Sequence, residues 1–380
     1  MSNVLLSVVI PTYNRYEYLQ SCLEVTSSIK SDQLEIVVQD NTEDNSEILP
    51  VIERIGDSRI KYYHIAEHIS VVENSDYAVK HAIGKYICMI GDDDTICSSM
   101  LDAAAFCDVN SIEACMSLIP GFNWPGMTFS GKKEPNLFIL EKATGEVIKI
   151  DAQEVLKHAV LSAEGLPRQM PRVYHGFVSK ECLNKIYEKC GTFFPGPSPD
   201  MANATAVSLV VKKAVLIKDY LMVSGYGRRS ARGEGNRKEH FGKISEKPWL
   251  PKDTESRWYP NIPKVFSGET IFAQSLIEAL NLMDQGDLAK KYNFGSLYAM
   301  FFAHHPSARL YMLSFLLKRP YRLMWFIKGI FVRLKERRKM LSKNPTKNYV
   351  EEDAIQSLAE AQTYIYKLRV IDDVTDYFWK

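Results

Sequence analysis

Three consecutive aspartates, Asp92, Asp93 and Asp94, come directly after the apolar run at residues 86–91. Adjacent like charges are costly to hold together unless a positive charge lies among them. An apolar run of this length that ends in glycine is typical of a buried strand, so the carboxylates follow the strand's carboxyl end. Ligands of open α/β sheets bind at that end, and carboxylate oxygens suit Mg²⁺ or Mn²⁺. A solvated acidic turn that caps the next helix is the alternative interpretation.

The first hundred residues alternate between apolar runs and helical patterns. Runs of mainly apolar and aromatic residues predict strands at 5–10, 34–38, 60–64 and 86–90, and helical spacing predicts helices at 16–29, 45–55, 71–83 and 98–107. This order predicts an α/β fold with a mostly parallel sheet and right-handed crossovers.

The rest of the chain divides into three parts. Residues 124–150 predict an antiparallel insert beside the sheet. Further helices follow, with a short strand at 173–178 and a last strand at 214–223. Residues 226–245 are rich in Gly and Arg and predict a flexible loop. Beyond residue 269 the pattern is helical throughout. We therefore expect an α/β domain at 1–225, a loop at 226–245 and a helical region at 246–380.

Composition excludes several classes of protein. With 46% hydrophobic and 24% charged residues the chain is globular, and a net charge of +1 argues against a general nucleic-acid binder. The seven cysteines form no CxxC pair and lie mostly in apolar runs, which predicts reduced core thiols in a cytosolic protein. We expect neither a signal peptide nor a membrane-spanning segment, and therefore a cytoplasmic protein.

Polar residues follow several of the predicted strands. They are the Pro-Thr-Tyr-Asn-Arg turn at 11–15, Asp40 with Asn41, the aspartate triplet, and Asp200 in the loop at 197–200. Strand ends of a parallel sheet line one crevice, so these groups can converge. There Asp40 can accept a hydrogen bond from the imide N–H of uracil. One aspartate of the triplet can bind ribose, and another can bind a metal that bridges a diphosphate. Asp200 can deprotonate a hydroxyl.

Together, the segments at 8–15, 35–41, 84–87 and 91–94 resemble the family 2 glycosyltransferases. The resemblance implies a GT-A (Rossmann-like) fold and an inverting, metal-dependent enzyme that uses nucleotide sugars. It implies that Pro11, Tyr13 and Arg15 frame the base pocket and that Asp40 faces uracil. Asp92 and Asp93 would then lie near ribose and sugar, and Asp94 would bind Mn²⁺ or Mg²⁺. The resemblance also implies that Asp200 is the catalytic base. Two positions depart from the family pattern: Pro199 stands where many members have Glu, and Gln39 stands where many have Asp.

Arginines are frequent in the predicted loop. Arg228 and Arg232, with Arg229 and Arg237, can clamp a diphosphate when such a loop closes, whereas a solvated linker is the alternative. Asn74 and His175 are weaker candidates, for the donor side and the acceptor side respectively. The pair His304–His305 has no carboxylate nearby in sequence, so it does not predict a metal site.

The segment at 305–343 interleaves many Lys and Arg residues with leucines and aromatics. This pattern is typical of amphipathic helices that dock on an anionic membrane, here the inner face of the cell membrane. Nucleic-acid binding and a core helix with a basic outer face are the alternatives. Near-heptad spacing at 355–368 indicates a helix that packs back on the body or pairs with a second copy in a homo-oligomer.

These observations lead to one functional hypothesis. The chain transfers a hexosyl or N-acetylhexosaminyl group from a UDP-sugar to a hydroxyl of a glycan acceptor, expected to be lipid-linked, in bacterial surface polysaccharide synthesis. A sugar nucleotidyltransferase is one alternative, but it would need a Gly-rich, basic phosphate loop after the first strand. An inactive membrane-associated scaffold with the same fold is the other.

Overall fold

The structure is a computed structural model that describes residues 3–129, 132–133, 135–228, 241–341, 349–369 and 377–379. Its N-terminal part alternates strands and helices, and strands dominate the middle. In chain order the elements up to residue 226 are β1 (Leu6–Thr12), α1 (Tyr16–Ser28), β2 (Leu34–Asp40), α2 (Leu49–Ile55), β3 (Ile60–His64), α3 (Val71–His81), β4 (Tyr86–Met89), β5 (Thr95–Ile96), α4 (Ser99–Val109), β6 (Ala114–Leu118), β7 (Gly121–Asn123), β8 (Thr128–Phe129), β9 (Lys132–Lys133), β10 (Leu137–Ile139), β11 (Glu146–Ile150), α5 (Ala152–Ser162), β12 (Gly176–Ser179), α6 (Lys180–Cys190), α7 (Pro199–Val210), β13 (Ala214–Tyr220) and β14 (Met222–Tyr226).

Helices dominate the described residues beyond 241. The elements there are α8 (Gly268–Leu282), α9 (Gly286–Ala289), α10 (Phe294–His304), α11 (Arg309–Leu317), α12 (Pro320–Leu341), β15 (Val350–Glu352), α13 (Leu358–Lys367) and β16 (Phe378–Trp379), with short 3₁₀ turns at Ile244–Glu246 and Pro306–Ala308. Among the described residues, no helix combines the length and the apolar character that crossing a bilayer would need.

Nine strands form the main sheet, in the order β16-β11-β13-β6-β12-β4-β1-β2-β3. β1 lies between β2 and β4 and is parallel to both, and β2 is parallel to β3. β12 runs antiparallel to both neighbours, and β11 runs antiparallel to β13. The predicted α/β fold with a parallel-rich sheet and a helical C-terminal region is thus confirmed.

Both faces of this sheet are covered, which explains why its central strands read as continuous apolar runs. α1 and α4 pack on one face through residues such as Leu19, Leu23 and Met100. α3, α6 and α7 pack on the other through Val79, Ile186 and Val207. The C-terminal helices form their own core, which joins the rest of the protein through α5 and α7.

Three local expectations differ from the structure. Residues 146–150 do not belong to a separate insert but form β11, because Val147 is fully buried in the core of the main sheet. The strand expected at 173–178 is displaced to Gly176–Ser179. The C-terminal region is not helical throughout, because β15 pairs with β10 and β16 pairs with β11.

The near-heptad residues of the tail pack within the same chain. Leu358, Ala361 and Ile365 of α13 are buried against Val25 of α1 and Val223 of β14. Of the two alternatives for this segment, the structure therefore shows the one in which it packs back on the body.

Candidate active site

The aspartate triplet is buried in the turn between β4 and β5. Asp92 is 2% exposed and Asp94 1% exposed. The positive charge that such a cluster requires comes from Arg15, just ahead of α1: its Nε lies 3.1 Å from Asp92 Oδ1 and its Nη2 lies 2.6 Å from Asp93 Oδ2. Thr12 Oγ1 donates a further hydrogen bond to Asp92 Oδ2 at 2.7 Å. The turn after β1 therefore meets the triplet, as predicted from the parallel order of the strands.

One arginine does not neutralise three carboxylates. Burial raises the pKa of Asp92 to about 7, although the nearby Arg15 charge opposes that rise. Burial and the neighbouring Asp94 also raise the pKa of Asp93. For Arg15, burial disfavours the charged form, but the carboxylates outweigh it and raise its pKa above the usual value. The cluster therefore holds excess negative charge that a cation would relieve.

Asp94 is held by groups from three parts of the chain. Its Oδ1 accepts the backbone N–H of Gly225 at 2.7 Å, and its Oδ2 accepts that of Gly91 at 2.7 Å. His175 Nε2 lies 2.8 Å from the same Oδ2. A Cβ atom at Gly225 would lie 1.7 Å from the carbonyl oxygen of Asp93, so this approach requires glycine.

The end of β14, where the predicted arginine loop begins, lies beside the triplet. The N–H of Gly227 donates to Asp93 Oδ2 at 3.0 Å, and the N–H of Arg228 donates to the hydroxyl of Tyr18 at 3.0 Å. Arg228 is exposed, immediately beside the triplet. Arg232, like Arg229 and Arg237, lies outside the described residues, so its role remains a prediction.

The predicted base pocket lies at the ends of β1 and β2. The ring of Tyr13 is 49% exposed and makes an edge contact with His68, with 5.9 Å between ring centroids. Pro11 is half-buried in β1, paired in register with Gln39. Among the described residues, neither amide atom of the buried Gln39 has a hydrogen-bond partner. Buried amides without partners are rare and indicate a place for an additional polar group.

Asp40 is fully buried at the end of β2 and makes three hydrogen bonds. Its Oδ2 accepts the hydroxyls of Tyr16 at 2.6 Å and Tyr62 at 2.7 Å, and its Oδ1 accepts the N–H of Thr42 at 2.8 Å. Burial, with help from Asp40, raises the pKa of both tyrosines. A carboxylate oxygen can accept two hydrogen bonds, so only Oδ1 retains capacity for a ligand N–H.

Asp200 lies in the first turn of α7 and is half-buried. Burial raises its pKa, while the nearby charges of Arg172 and His175 oppose the rise and the charge of Asp94 adds to it. These electrostatic couplings show that Asp200 and the triplet share one region. Asn203, one turn further along α7, accepts the N–H of Val173 on its Oδ1 at 3.0 Å and so joins the helix to the segment that carries His175.

His175 is the site residue for which sequence reasoning found the least support. A lone histidine belongs to no motif. The glycine that follows it, Gly176, is the local sequence feature that is typical of a tight turn. The structure also gives His304 and His305 a carboxylate: the two rings contact separate oxygens of Glu269 at 2.7 and 3.0 Å. That pair lies on α10 and the residue after it, and the structure shows no contact between it and the triplet.

The donor atoms near Asp94 suit a divalent cation. A carboxylate oxygen and an imidazole nitrogen in contact, beside excess negative charge, are groups that first-row divalent ions accept as ligands. In the part of the chain that the structure describes, no group of three or more His, Cys, Asp or Glu side chains could hold an ion alone. An ion at Asp94 would therefore need ligands from outside the protein as well, such as a bound diphosphate and water.

Comparisons with known proteins point to one enzyme family. Residues 7–102 match the family model described as glycosyl transferase family 2. Over 230 residues, 60% of this chain and 71% of its relative, the chain is 24% identical to the glycosyltransferase GlyG of Streptococcus pneumoniae serotype 4. An uncharacterized glycosyltransferase of Rickettsia felis is 31% identical over 90 residues, and the chain spans only 14% of that protein's length.

Two solved structures are similar to this chain at lower sequence identity. The S. aureus TarS 1–349 complex with UDP-GlcNAc is 17% identical with a TM-score of 0.48, covering 80% of this chain and 73% of that one. The mannosyltransferase PcManGT of Pyrobaculum calidifontis, in complex with GDP-Man and Mn²⁺, is 15% identical with a TM-score of 0.38, covering 86% of each chain.

Proposed function

Because residues 7–102 match the model of glycosyl transferase family 2, we propose that the protein moves a sugar from a UDP-sugar to a hydroxyl of a glycan acceptor with inversion at the anomeric carbon. The observation that carries this proposal is the buried Arg15–Asp92–Asp93–Asp94 cluster at the carboxyl ends of the parallel strands. Asp200 lies close enough to the cluster for their charges to interact.

The donor occupies the crevice above β1, β2 and β4. The exposed ring of Tyr13 offers a face for the uracil base, and Pro11 and Arg15 form the adjoining walls. Asp40 Oδ1 accepts the imide N–H, while Tyr16 and Tyr62 fix the orientation of the carboxylate. Asp92 and Asp93 contact ribose and sugar hydroxyls, and Arg228 and Arg232 close on the diphosphate oxygens.

Asp200 takes the proton of the acceptor hydroxyl as its oxygen attacks C1 of the donor sugar. The bond between C1 and the diphosphate oxygen breaks on the opposite face, so one displacement inverts the anomeric centre. A carboxylate in a partly buried position is a stronger base than one in water, which suits this role. A divalent ion, Mn²⁺ or Mg²⁺, held by Asp94 would supply Lewis-acid neutralisation of the departing UDP.

The acceptor is a lipid-linked glycan, and the enzyme works at the inner face of the membrane. Support comes from α11 and α12, where large apolar side chains face outward, including Leu310 at 82% and Leu317 at 70% exposure. Exposed cations surround them: Arg309, Lys318, Arg319, Lys328 and Lys335. Each of these contributes about 1 kcal/mol near an anionic surface, while the leucines enter the headgroup region.

One predicted member of this basic surface faces inward instead. Arg322 is buried, donates to the carbonyl oxygens of Pro260 and Phe315, and lies over the ring of Phe315 at 4.0 Å. Its role is therefore to join α12 to the protein body. The side chains of residues 336–348 lie outside the described residues.

The enzymatic proposal is tested by UDP release from a panel of UDP-sugars with membrane extracts as acceptor. We expect Asp94→Ala to abolish turnover and metal-dependent UDP binding. We expect Asp200→Asn to bind UDP normally but to lose transfer by 10²–10⁴-fold, as removal of a general base does. The exposed Asp32 provides the matched control Asp32→Asn. Near-normal transfer by Asp200→Asn would refute the base assignment. Pyrophosphate release from UTP and a sugar 1-phosphate, without UDP release from any UDP-sugar, would indicate a nucleotidyltransferase.

Membrane docking is tested by flotation with vesicles. We expect binding to vesicles that contain anionic lipid, weaker binding to zwitterionic vesicles, and loss of binding in the double variant Leu310→Ser/Leu317→Ser. Leu282→Ser, at an exposed leucine on α8, is the control. Equal flotation of both variants would refute this surface as the docking site.

A further inference from the structure

The turn that carries His175 has a fixed backbone. The N–H of Met89 donates to the carbonyl of Val173 at 2.8 Å, and the N–H of His175 donates back to the carbonyl of Met89 at 3.1 Å. The next residue must be glycine, because a Cβ atom at Gly176 would lie 2.7 Å from the carbonyl oxygen of Cys115 and 2.8 Å from that of Arg172. β4, which leads to the aspartate triplet, therefore also places His175.

The backbone of His175 is in the left-handed region, with φ of 60°. Side chains other than glycine adopt this region uncommonly, and residues held there concentrate at functional sites. The conformation brings the ring parallel to that of Tyr174, at 3.9 Å between centroids. Nε2 then lies 2.8 Å from Asp94 Oδ2, and the side chain is only 13% exposed. A strained backbone thus presents one ring nitrogen to one carboxylate oxygen.

We propose that His175 Nε2 and Asp94 Oδ2 are neighbouring ligands of the divalent ion. This inference rests on the proposed function, which requires an ion at Asp94 but assigns no second protein ligand. Two ligands that share an edge of an octahedron of radius about 2.1 Å are separated by about 3 Å. The observed 2.8 Å is close to that separation.

The protonation balance is simple. A carboxylate oxygen only accepts hydrogen bonds, so the 2.8 Å contact is a hydrogen bond when the proton of the ring is on Nε2. When the proton of the neutral ring is on Nδ1 instead, Nε2 presents a lone pair. The ion can then occupy the place of the Nε2 proton, and the imidazole stays neutral.

A nitrogen ligand also selects the metal. Imidazole binds transition ions such as Mn²⁺ better than it binds Mg²⁺, which prefers oxygen ligands only. The site should therefore prefer Mn²⁺ to Mg²⁺, and the preference should depend on His175. A structural role, in which His175 only orients Asp94, would leave Mn²⁺ ligated by oxygen alone.

The test uses the full chain and Mn²⁺, titrated alone and with UDP and followed by electron paramagnetic resonance. Pulsed measurements on the wild-type protein detect a ¹⁴N nucleus bonded to Mn²⁺. We expect that coupling, and we expect His175→Asn to remove it and to weaken Mn²⁺ binding about 10-fold or more, with a smaller loss for Mg²⁺. Asparagine tolerates the left-handed backbone, and His158→Asn, at an exposed position on α5, is the control.

Mn²⁺ that binds the wild-type protein without ¹⁴N coupling would overturn the inference and leave the proposed sugar transfer intact. Because this readout comes from the wild-type protein, it does not depend on the folding of a variant. Failure of UDP to bind would count against the proposed donor. The titration with Mn²⁺ alone would still decide the role of His175. A ¹⁴N signal would support His175 as a ligand, and the absence of bound Mn²⁺ would refute that role.

Discussion

Replacing Asp92 by asparagine is expected to stabilise the protein, by an amount that grows with pH. Asp92 is buried, and its pKa is raised to about 7, whereas an aspartate in the unfolded chain has a pKa of about 3.9. Between these values the native protein binds one proton more than the unfolded chain. Its free energy of unfolding therefore falls by about 1.4 kcal/mol for each pH unit in this window, and the loss is complete above the native pKa.

Asparagine has the shape of the protonated side chain and does not titrate. From pH 5 to the native pKa is about two units, so wild type should lose about 3 kcal/mol more than Asp92→Asn between pH 5 and pH 8. The measurement is urea unfolding of both proteins at the two pH values, with EDTA present so that no cation neutralises the cluster. Asp32→Asn controls for the general effect of removing a negative charge.

A parallel loss of stability in wild type and Asp92→Asn would refute this reasoning. It would mean that Arg15 already compensates the charge of Asp92 in full. Asp92→Asn is also expected to lose sugar transfer, so the site would be stabilised by the same change that inactivates it.

Three further predictions concern other parts of the protein. Gly225→Ala should destabilise the fold by about 3 kcal/mol or more, because the added Cβ overlaps the backbone of Asp93. Gly268→Ala, with open space around the added Cβ, should stay within about 1 kcal/mol of wild type. Thermal unfolding compares the stability of the two variants. Glu269→Gln should cost stability at pH 7 and progressively less as the pH falls below the usual pKa of a glutamate, because burial raises the pKa of Glu269 but its contacts with His305 and His304 outweigh burial and lower it. Arg322→Met should lower the urea midpoint, whereas Lys328→Met should leave it unchanged and weaken vesicle flotation.

Each of these predictions has an outcome that contradicts it. Equal melting temperatures for the two glycine variants would remove the steric argument at Gly225. A constant effect of Glu269→Gln from pH 3 to pH 7 would show that its charge is unimportant. Unchanged stability in Arg322→Met would mean that its buried hydrogen bonds add nothing.

The sequence predicted the framework of the site because buried parallel strands appear in a sequence as recognisable apolar runs. β1, β2, β3 and β4 begin and end within about two residues of the runs that predicted them. The signal is clearest for β1, β2 and β4, which lie inside the sheet and have buried side chains on both faces. The need for a positive charge among the aspartates was also foreseeable. That Arg15 supplies it depends on the pairing of β1 with β4, which brings distant segments together.

Other features had no sequence signal of sufficient strength. β15 and β16 are three and two residues long, too short for a periodic pattern. The contact between His175 and Asp94 depends on one backbone angle. Arg322 points inward because it donates to the carbonyl group of Pro260, which is distant in sequence. The composition of its own segment contains no sign of that partner and therefore placed Arg322 on the surface.

The pairing of β16 with β11 has a consequence for synthesis of the protein in the cell. Ribosomes add about 5–20 residues per second, so roughly 10–50 seconds separate the completion of β11 from that of β16. During that time the nascent chain already contains every residue of the acidic cluster, but the edge of its main sheet has no partner. An open strand edge is a place where chains associate with one another. Translation speed and chaperone supply should therefore affect the yield of this enzyme more than its final stability would suggest.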